Sequence, residues 1–403
     1  MTRLAPDAQE ERKPVVTGLI KGWERGDSCT RWIPESVMMS LLRLVLLLAA
    51  FSVPAFGQSP SWVAVNDAGD GFVLSNDRAA FIPWGFNYSR DEKYRLLEDY
   101  WNADTSDGWP KFERDFREMK RLGANVVRIH LQFAKFMDAP GKPNEENVAR
   151  LAKVIDLAEE IGVYLDITGL GTYRSKDVPA WYNQANEKDR WAMQAEFWEA
   201  VAKVCANRPG VFAYNVMNEP LVSSERRPAG EWTHPAELEG MRYLEYINLD
   251  PAGRRAPDIA RAWLRQMTQA IRRHDQRHPI TVGLIWIDNA KPENLAGFPP
   301  AEIAPEVDFL AVHVYPASGK VDVALDSLVR YRVRKPVVIE ETFPLNCTPA
   351  EYADFLRRSR GIASGWLAHF WSLTPADLKD RTDVASTLTL ESLNIFQSLD
   401  PNR

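Results

Sequence analysis

Two stretches of this 403-residue chain place acids where acids are costly. Asn218-Glu219-Pro220 closes an apolar run containing Val216 and Met217, and Glu340-Glu341 closes Val337-Val338-Ile339. An ionised carboxylate is expensive to bury unless it is paired. Apolar runs that end in acids are therefore not built for packing alone. Other runs end in polar heads too: Asn87 after Trp84-Gly85-Phe86, Arg128 and His130 around Ile129, His313 and Tyr315 around Val314, and Trp371 after Phe370. Two carboxylates facing each other across a bound bond can split a glycoside. One protonates the leaving oxygen while the other attacks the anomeric carbon. A Glu is normally ionised at neutral pH, so one acid needs neighbours that keep it protonated and the other needs neighbours that keep it charged. Arg128 can do the second, and repulsion between the carboxylates can do the first. Adjacent strand residues point to opposite faces, so only one of Glu340 and Glu341 is expected to face the site. Asp166, His130 and His313 lack the tight spacing of a zinc site, and no Gly-rich phosphate loop or Gly-x-Ser-x-Gly elbow occurs. No metal and no organic cofactor are expected.

The elements that must position these groups alternate along the chain. A hairpin is predicted first, with strands at 62–65 and 71–74. Strand candidates follow at 80–86, 125–131, 163–167, 211–217, 280–285, 308–314, 336–341 and 365–370. Most are continuous apolar runs, as in strands buried on both faces of a parallel sheet. Between them, apolar residues recur at helical spacing. Examples are Phe112, Phe116, Met119 and Leu122, then Val148, Leu151, Val154, Ile155 and Ala158 behind a capping Asn144, then Ile259, Trp263, Met267 and Ile271. Pro349 opens a further helix. Eight strand–helix units predict an α/β fold, a single (β/α)8 TIM barrel preceded by a short N-terminal β-hairpin. Chemistry in that fold sits at the C-terminal ends of the strands, where the acids stand.

Composition sets the outer limits. Apolar residues make up 45% and charged residues 26%, an ordinary globular mixture that excludes collagen, coiled coil and wholesale disorder. The net charge of −6, without a basic run, argues against a nucleic acid or an anionic membrane as partner, and no protein partner is implied. Fourteen Trp hint at flat ligands such as sugars. Residues 38–57 read as a secretory signal: Arg43, an apolar core too short to span a bilayer, then Ala55-Phe56-Gly57. That predicts a secreted or periplasmic protein, with a membrane anchor as the alternative. Residues 1–37 are expected to be a non-native or disordered extension, and 58–403 the catalytic domain. Cys29, Cys205 and Cys347 make no disulfide framework, and the last two are expected to be free thiols.

The motifs together resemble glycoside hydrolase family 5, the cellulase and mannanase family of retaining (β/α)8 enzymes, over about residues 60–400. The resemblance implies Glu219 as acid/base, Glu341 as nucleophile and Asn218 as ligand of the sugar 2-hydroxyl. It implies Arg128 beside the nucleophile, Tyr315 orienting it with His313 alongside, and Trp371 under the reacting sugar; Asn87 and His130 join the substrate-binding set. The implied activity is that of an O-glycosyl hydrolase of endo-β-mannanase or endo-β-glucanase type, acting on a β-linked poly- or oligosaccharide. The alternative is a barrel that binds glycans without cleaving them. Two features depart from the pattern. Many members carry a His at the end of strand three, where this chain reads Leu165-Asp166-Ile167-Thr168-Gly169-Leu170; and the nucleophile is followed by Thr342-Phe343. Residues 221–254, with Trp232, Tyr243 and Tyr246, have no counterpart and are read as a lid or subsite wall. Tyr94, Tyr100, Trp101, Trp109, Tyr173, Trp181 and Tyr182 are read as sugar platforms.

Overall fold

The computed structural model describes residues 60–285, 296–369 and 371–403. The expectations for 1–37 and 38–57, and for Cys29, lie outside the described residues. Eight parallel strands close into a barrel: β1 (Trp84–Tyr88), β2 (Val126–Gln132), β3 (Tyr164–Gly171), β4 (Val211–Asn218), β5 (Ile280–Ile285), β6 (Leu310–His313), β7 (Val337–Thr342) and β8 (Gly365–Ala368). The neighbours run in chain order, and β8 closes onto β1 through Trp366↔Trp84 and Ala368↔Phe86. Among the described residues seven long helices clothe it: α1 (Trp109–Arg121), α2 (Glu145–Ile161), α3 (Glu187–Cys205), α4 (Ala256–Arg272), α5 (Val321–Val329), α6 (Pro349–Ser359) and α7 (Val384–Ser398). Their starts carry the expected signals. The Asn144 side chain accepts from the Asn147 N–H, and Thr348 with Glu351 forms a capping box around Pro349. Among the described residues no helix is long and apolar enough to cross a membrane.

The segment 80–86 is two strands rather than one. Ala80–Phe81 pairs with Phe72–Leu74 and extends the hairpin to three strands, and the barrel begins only at Trp84. Pro83 lies between them, and without an N–H it cannot continue a ladder. The break turns the small sheet under the barrel. Phe72 and Phe81 there pack on Phe212 at 5.1 and 5.8 Å, and Phe72 also meets Phe309.

Side chains alternate between two cores along each strand. Val127, Ile129, Leu165, Ile167, Val312 and Ile339 face the helices. Val126, Tyr164, Ala213, Ala311, Val338 and Leu367 face inward and close the barrel floor against Phe72 and Phe81. Two residues further along the same inner face, the apolar series ends: Arg128, Asp166, Asn215, His313, Glu340 and His369 follow. Cys205 and Cys347 are free, as expected.

Candidate active site

Arg128 is the hub. It is fully buried, and its donors are all directed at the protein. Nε donates to Thr168 Oγ1 at 2.8 Å, Nη1 to Asn87 Oδ1 at 2.9 Å and to Glu341 Oε1 at 2.5 Å, and Nη2 to Asn218 Oδ1 at 3.0 Å. Nη2 also lies 3.3 Å from Glu340 Oε2. Thr168, in the run 165–170 that carries no His, spends its hydroxyl on the guanidinium. Asn87 is equally committed, donating to the carbonyls of Glu340 and Ala368. Arg128 and Asn87 were expected among the substrate-binding residues. Both are completely buried and have a full complement of internal partners, which suits them to hold the acids in place.

Both acids of the Glu340-Glu341 pair point inward, against the expectation from strand alternation. The register explains this. Val312 pairs with Ile339, but His313 pairs with Glu341; on the other side Ile339 pairs with Trp366, but Thr342 with Ala368. One extra residue bulges β7 at this point, and a bulge re-aims a side chain. Glu340 lies deeper and is fully buried, where Asn215 Nδ2 donates to its Oε2 at 2.6 Å. Glu341 lies above it, its Oε2 accepting from the Tyr315 hydroxyl at 2.6 Å.

Glu219 comes from the other side. Its φ of +45° is left-handed, uncommon for a residue with a Cβ, and it precedes Pro220. Backbone strain of this kind costs about 1–3 kcal/mol and clusters at functional sites. The turn is held by the Glu219 N–H, which donates to the Gly283 carbonyl at 2.9 Å. His313 joins the acids: its Nδ1 is hydrogen-bonded with Glu219 Oε1 at 2.9 Å and its Nε2 with Glu340 Oε2 at 3.2 Å. One oxygen each from Glu219 and Glu341, with His313 Nδ1, lie within 4.8 Å of one another. Such a trio has the donor types of a cation site, and both His313 ring nitrogens are already engaged by carboxylate oxygens.

The electrostatics follow from the packing. Burial by itself opposes the imidazolium of His313, but Glu341, Glu219 and Glu340 outweigh it and raise the pKa to about 9. Burial also opposes charge on Glu341, which His313 and Arg128 nevertheless hold well below the usual carboxylate range. Asp166 is the counterweight. Burial first, and then the adjacent Glu340, push its pKa well above the ordinary value. His130 is driven neutral by burial and by Arg128, its Nδ1 2.6 Å from the Tyr173 hydroxyl. Gly283 leaves room for this network. A Cβ there would lie 3.0 Å from His313 Nε2 and 3.1 Å from Arg128 Nη2.

The structure thus brings Asn87, Arg128, His130, Asn218, Glu219, His313, Tyr315 and Glu341 into one cluster. Trp371 goes elsewhere. It is 1% exposed and sits edge-on to Phe86, on the helix side of β1, 5.4 Å between rings, so it offers a sugar no open face. Tyr100, Trp101 and Tyr182 are likewise buried, and Tyr173 nearly so; Tyr94 is the exposed member of the expected platforms. His369 was missed. Its Nδ1 lies 3.4 Å from Glu341 Oε2, and burial pushes its pKa down to about 4. Glu340, Asp166 and Asn215 were missed as network members too. The signal for all four was a polar residue two positions after an inward apolar one: Leu367, Val338, Tyr164 and Ala213.

The family model Cellulase (glycosyl hydrolase family 5) matches residues 97–348. Comparison with curated proteins finds no match. Among solved structures, the exo-beta-1,4-mannosidase Op5Man5 from Opitutaceae bacterium strain TAV5 superposes with a TM-score of 0.60 at 18% identity, over 84% of this chain and 62% of that one. The chain therefore spans less than two thirds of that protein. A GH5_18 protein from Bifidobacterium longum subsp. longum in complex with Manb1-4GlcNAc gives 0.57 at 14% identity, over 80% and 78%. The endo-1,4-beta-mannanase from Rhizomucor miehei gives 0.55 at 17% identity, over 83% and 99%. At these identities the likeness is one of fold.

Proposed function

The chain belongs to glycosyl hydrolase family 5, and from that premise we propose that it is a secreted, retaining β-glycosidase acting on a β-linked, mannan- or glucan-like saccharide. The observation that carries the reading is the placement of Glu219 and Glu341 oxygens within 4.8 Å of each other across His313. Retaining enzymes hold their carboxyl groups about 5–5.5 Å apart, whereas inverting ones leave about 6.5–9.5 Å for a water. Glu341, kept charged by Arg128 and His313 and oriented by Tyr315, attacks the anomeric carbon. As the glycosidic C–O bond breaks, Glu219 gives its proton to the leaving oxygen, and a glycosyl ester remains on Glu341. Glu219, now ionised, takes a proton from water, whose oxygen attacks the same carbon and frees Glu341. The mannosidase and mannanase among the similar folds favour a mannoside over a glucoside. The apolar run within residues 38–57 favours export.

A 2-deoxy-2-fluoro β-glycoside with an activated leaving group tests the mechanism. The expected result is a covalent adduct on the peptide containing Glu341, found by mass mapping. Glycan binding without any adduct would leave a non-catalytic barrel in place of an enzyme.

A further inference from the structure

We propose that the underside of the barrel, where its strands begin, carries a phosphate-binding site: a cavity ringed by Arg332, Arg334, Lys335 and Arg360. The site uses none of the residues of the glycosidase reading and does not depend on it.

Three loops converge there: the one joining α5 to β7, the one joining α6 to β8, and the turn of the N-terminal hairpin. The first is shaped by alternation. Tyr331 is buried and Val333 packs on the helix-side core, which leaves Arg332 and Arg334 facing out. The hairpin turn fits closely against this loop. Gly69 has a φ of +71°, and a Cβ on it would lie 3.3 Å from the Arg334 carbonyl oxygen. The same turn meets the other loop, where the Ser364 hydroxyl donates to the Asp70 carbonyl at 2.6 Å. Between the three loops lies a cavity of about 420 Å³.

The charge of this cavity is one-sided. Among the described residues that line it, four are cationic and Asp70 is the acid, its carboxylate accepting from Asn66 Nδ2 at 2.9 Å. Elsewhere on the surface guanidiniums meet carboxylates: Arg254 with Glu187, Arg255 with Glu302, Arg265 with Glu306 and, two residues before Arg360, Arg358 with Asp322. Among the described residues no carboxylate stands within ion-pairing reach of Arg332, Arg334, Lys335 or Arg360. Lys335 Nζ donates to the Val307 carbonyl at 2.8 Å and Arg360 to the Leu399 carbonyl. Neither bond neutralises a charge, and both heads keep further N–H donors.

Cations this close repel one another. A round space of that volume is about 9 Å across, near the Debye length of about 8 Å at physiological salt, so the solvent screens them only in part. An anion seated between them removes the repulsion and accepts charge-assisted hydrogen bonds. Guanidinium forks from two loops, with an ammonium beside them, match a tetrahedral group that has several oxygens and carries about two charges. A flat carboxylate with one charge matches them less well. The basic residues alternate with Tyr331 and Val333 in one loop, and Arg360 comes much later in the chain, so no basic run records the site. Glu341 stands six residues beyond Lys335 on the same strand, about 20 Å away at about 3.3 Å per residue, so a ligand held here leaves the mouth free.

Thermal unfolding of the full chain tests the site without reading turnover, so the outcome is separable from that of the glycosidase reading. About 20 mM inorganic phosphate, at an ionic strength matched with sodium chloride, should raise Tm by about 2–4 °C. The double variant Arg332→Gln, Arg334→Gly should lose that rise. Both side chains are exposed, and glycine suits the left-handed φ of +60° at position 334, so the variant should unfold as cooperatively as the native chain. Vesicles of phosphatidylglycerol, set beside vesicles of phosphatidylcholine, separate two sources of the phosphate. Sedimentation with the anionic vesicles alone, lost in the double variant, assigns the site to a lipid headgroup; a phosphate-dependent rise in Tm without sedimentation assigns it to a soluble phosphate. No rise in the native chain, or the same rise in the double variant, would overturn the proposal.

Discussion

The floor and the mouth of this barrel share strands and differ in everything those strands carry. On the floor Phe72, Phe81, Phe212 and Phe309 pack ring on ring with Val126, Val338 and Leu367, and burial alone stabilises them. One inner position higher, Arg128, Asp166, Glu340 and His313 are as deeply buried but have no apolar surface to gain from. Their burial is tolerated because each group meets a partner: a guanidinium against two carboxylates, and an imidazole held between Glu219 and Glu340, while burial and Glu340 raise the pKa of Asp166. The floor supplies stability, and the mouth spends some of it to hold charges that cannot relax. The lesson is that a substitution on the floor should lower stability and spare chemistry, whereas one in the mouth should do the reverse or both.

The largest effect expected is at Glu341. Glu341→Gln should lower turnover of an aryl β-glycoside by about 10⁴-fold or more, because the step has no other nucleophile; turnover within tenfold of the native chain would break the comparison at its centre. Glu219→Ala comes next. It should cost about 10²–10⁴-fold on substrates with poor leaving groups and spare activated aryl glycosides, a contrast that steady-state kinetics on the two substrate types will show.

Arg128→Met should hurt on both counts. It strands Glu340 and Glu341 without their cation, a loss of about 3–5 kcal/mol in denaturant unfolding, and it frees Glu341 to take up a proton near its ordinary pKa. Phe212→Ala on the floor should cost a similar amount, about 3–5 kcal/mol, with kcat per folded molecule unchanged. If kcat falls with Phe212, the two ends are coupled and the division proposed here fails.

The smallest effect is expected at Asp166. Asp166→Asn keeps a neutral side chain of the same shape beside Glu340, so activity and its pH profile should stay close to native, whereas Asp166→Ala, which leaves a cavity there, should not. The profile has a stated sign. Glu341 is depressed, so its contribution is present above the ordinary carboxylate pKa and fades as pH falls. His313 is raised, so its contribution is complete below about 6.5 and is lost as pH climbs through about 9. Both kcat/KM and Tm should therefore fall on the alkaline side near pH 9, and a profile flat to pH 10 would contradict the His313 network.

Much of this was legible in the chain. Acids at the ends of apolar runs located the mouth, because an inward position two residues beyond a floor residue must still face inward. Helix starts were readable at Asn144 and Pro349, where the capping groups are local. The alternation also held the signal for His369, Asp166 and Asn215, although it marks a polar inner residue without naming its partner.

What the sequence by itself determined is therefore the set of strands, their direction and the level at which charge replaces packing, since periodicity and capping act within a few residues. Only the tertiary structure decided which groups meet. The bulge that turns both Glu340 and Glu341 inward is a mismatch between neighbouring strands, and no single strand records it. Trp371 belongs to the helix-side core because Phe86, 285 positions earlier in the chain, stands beside it. Arg90, just after β1, pairs with Glu239, which lies between β4 and β5. Exposure is a property of what packs opposite, and the partners here lie far apart in the chain.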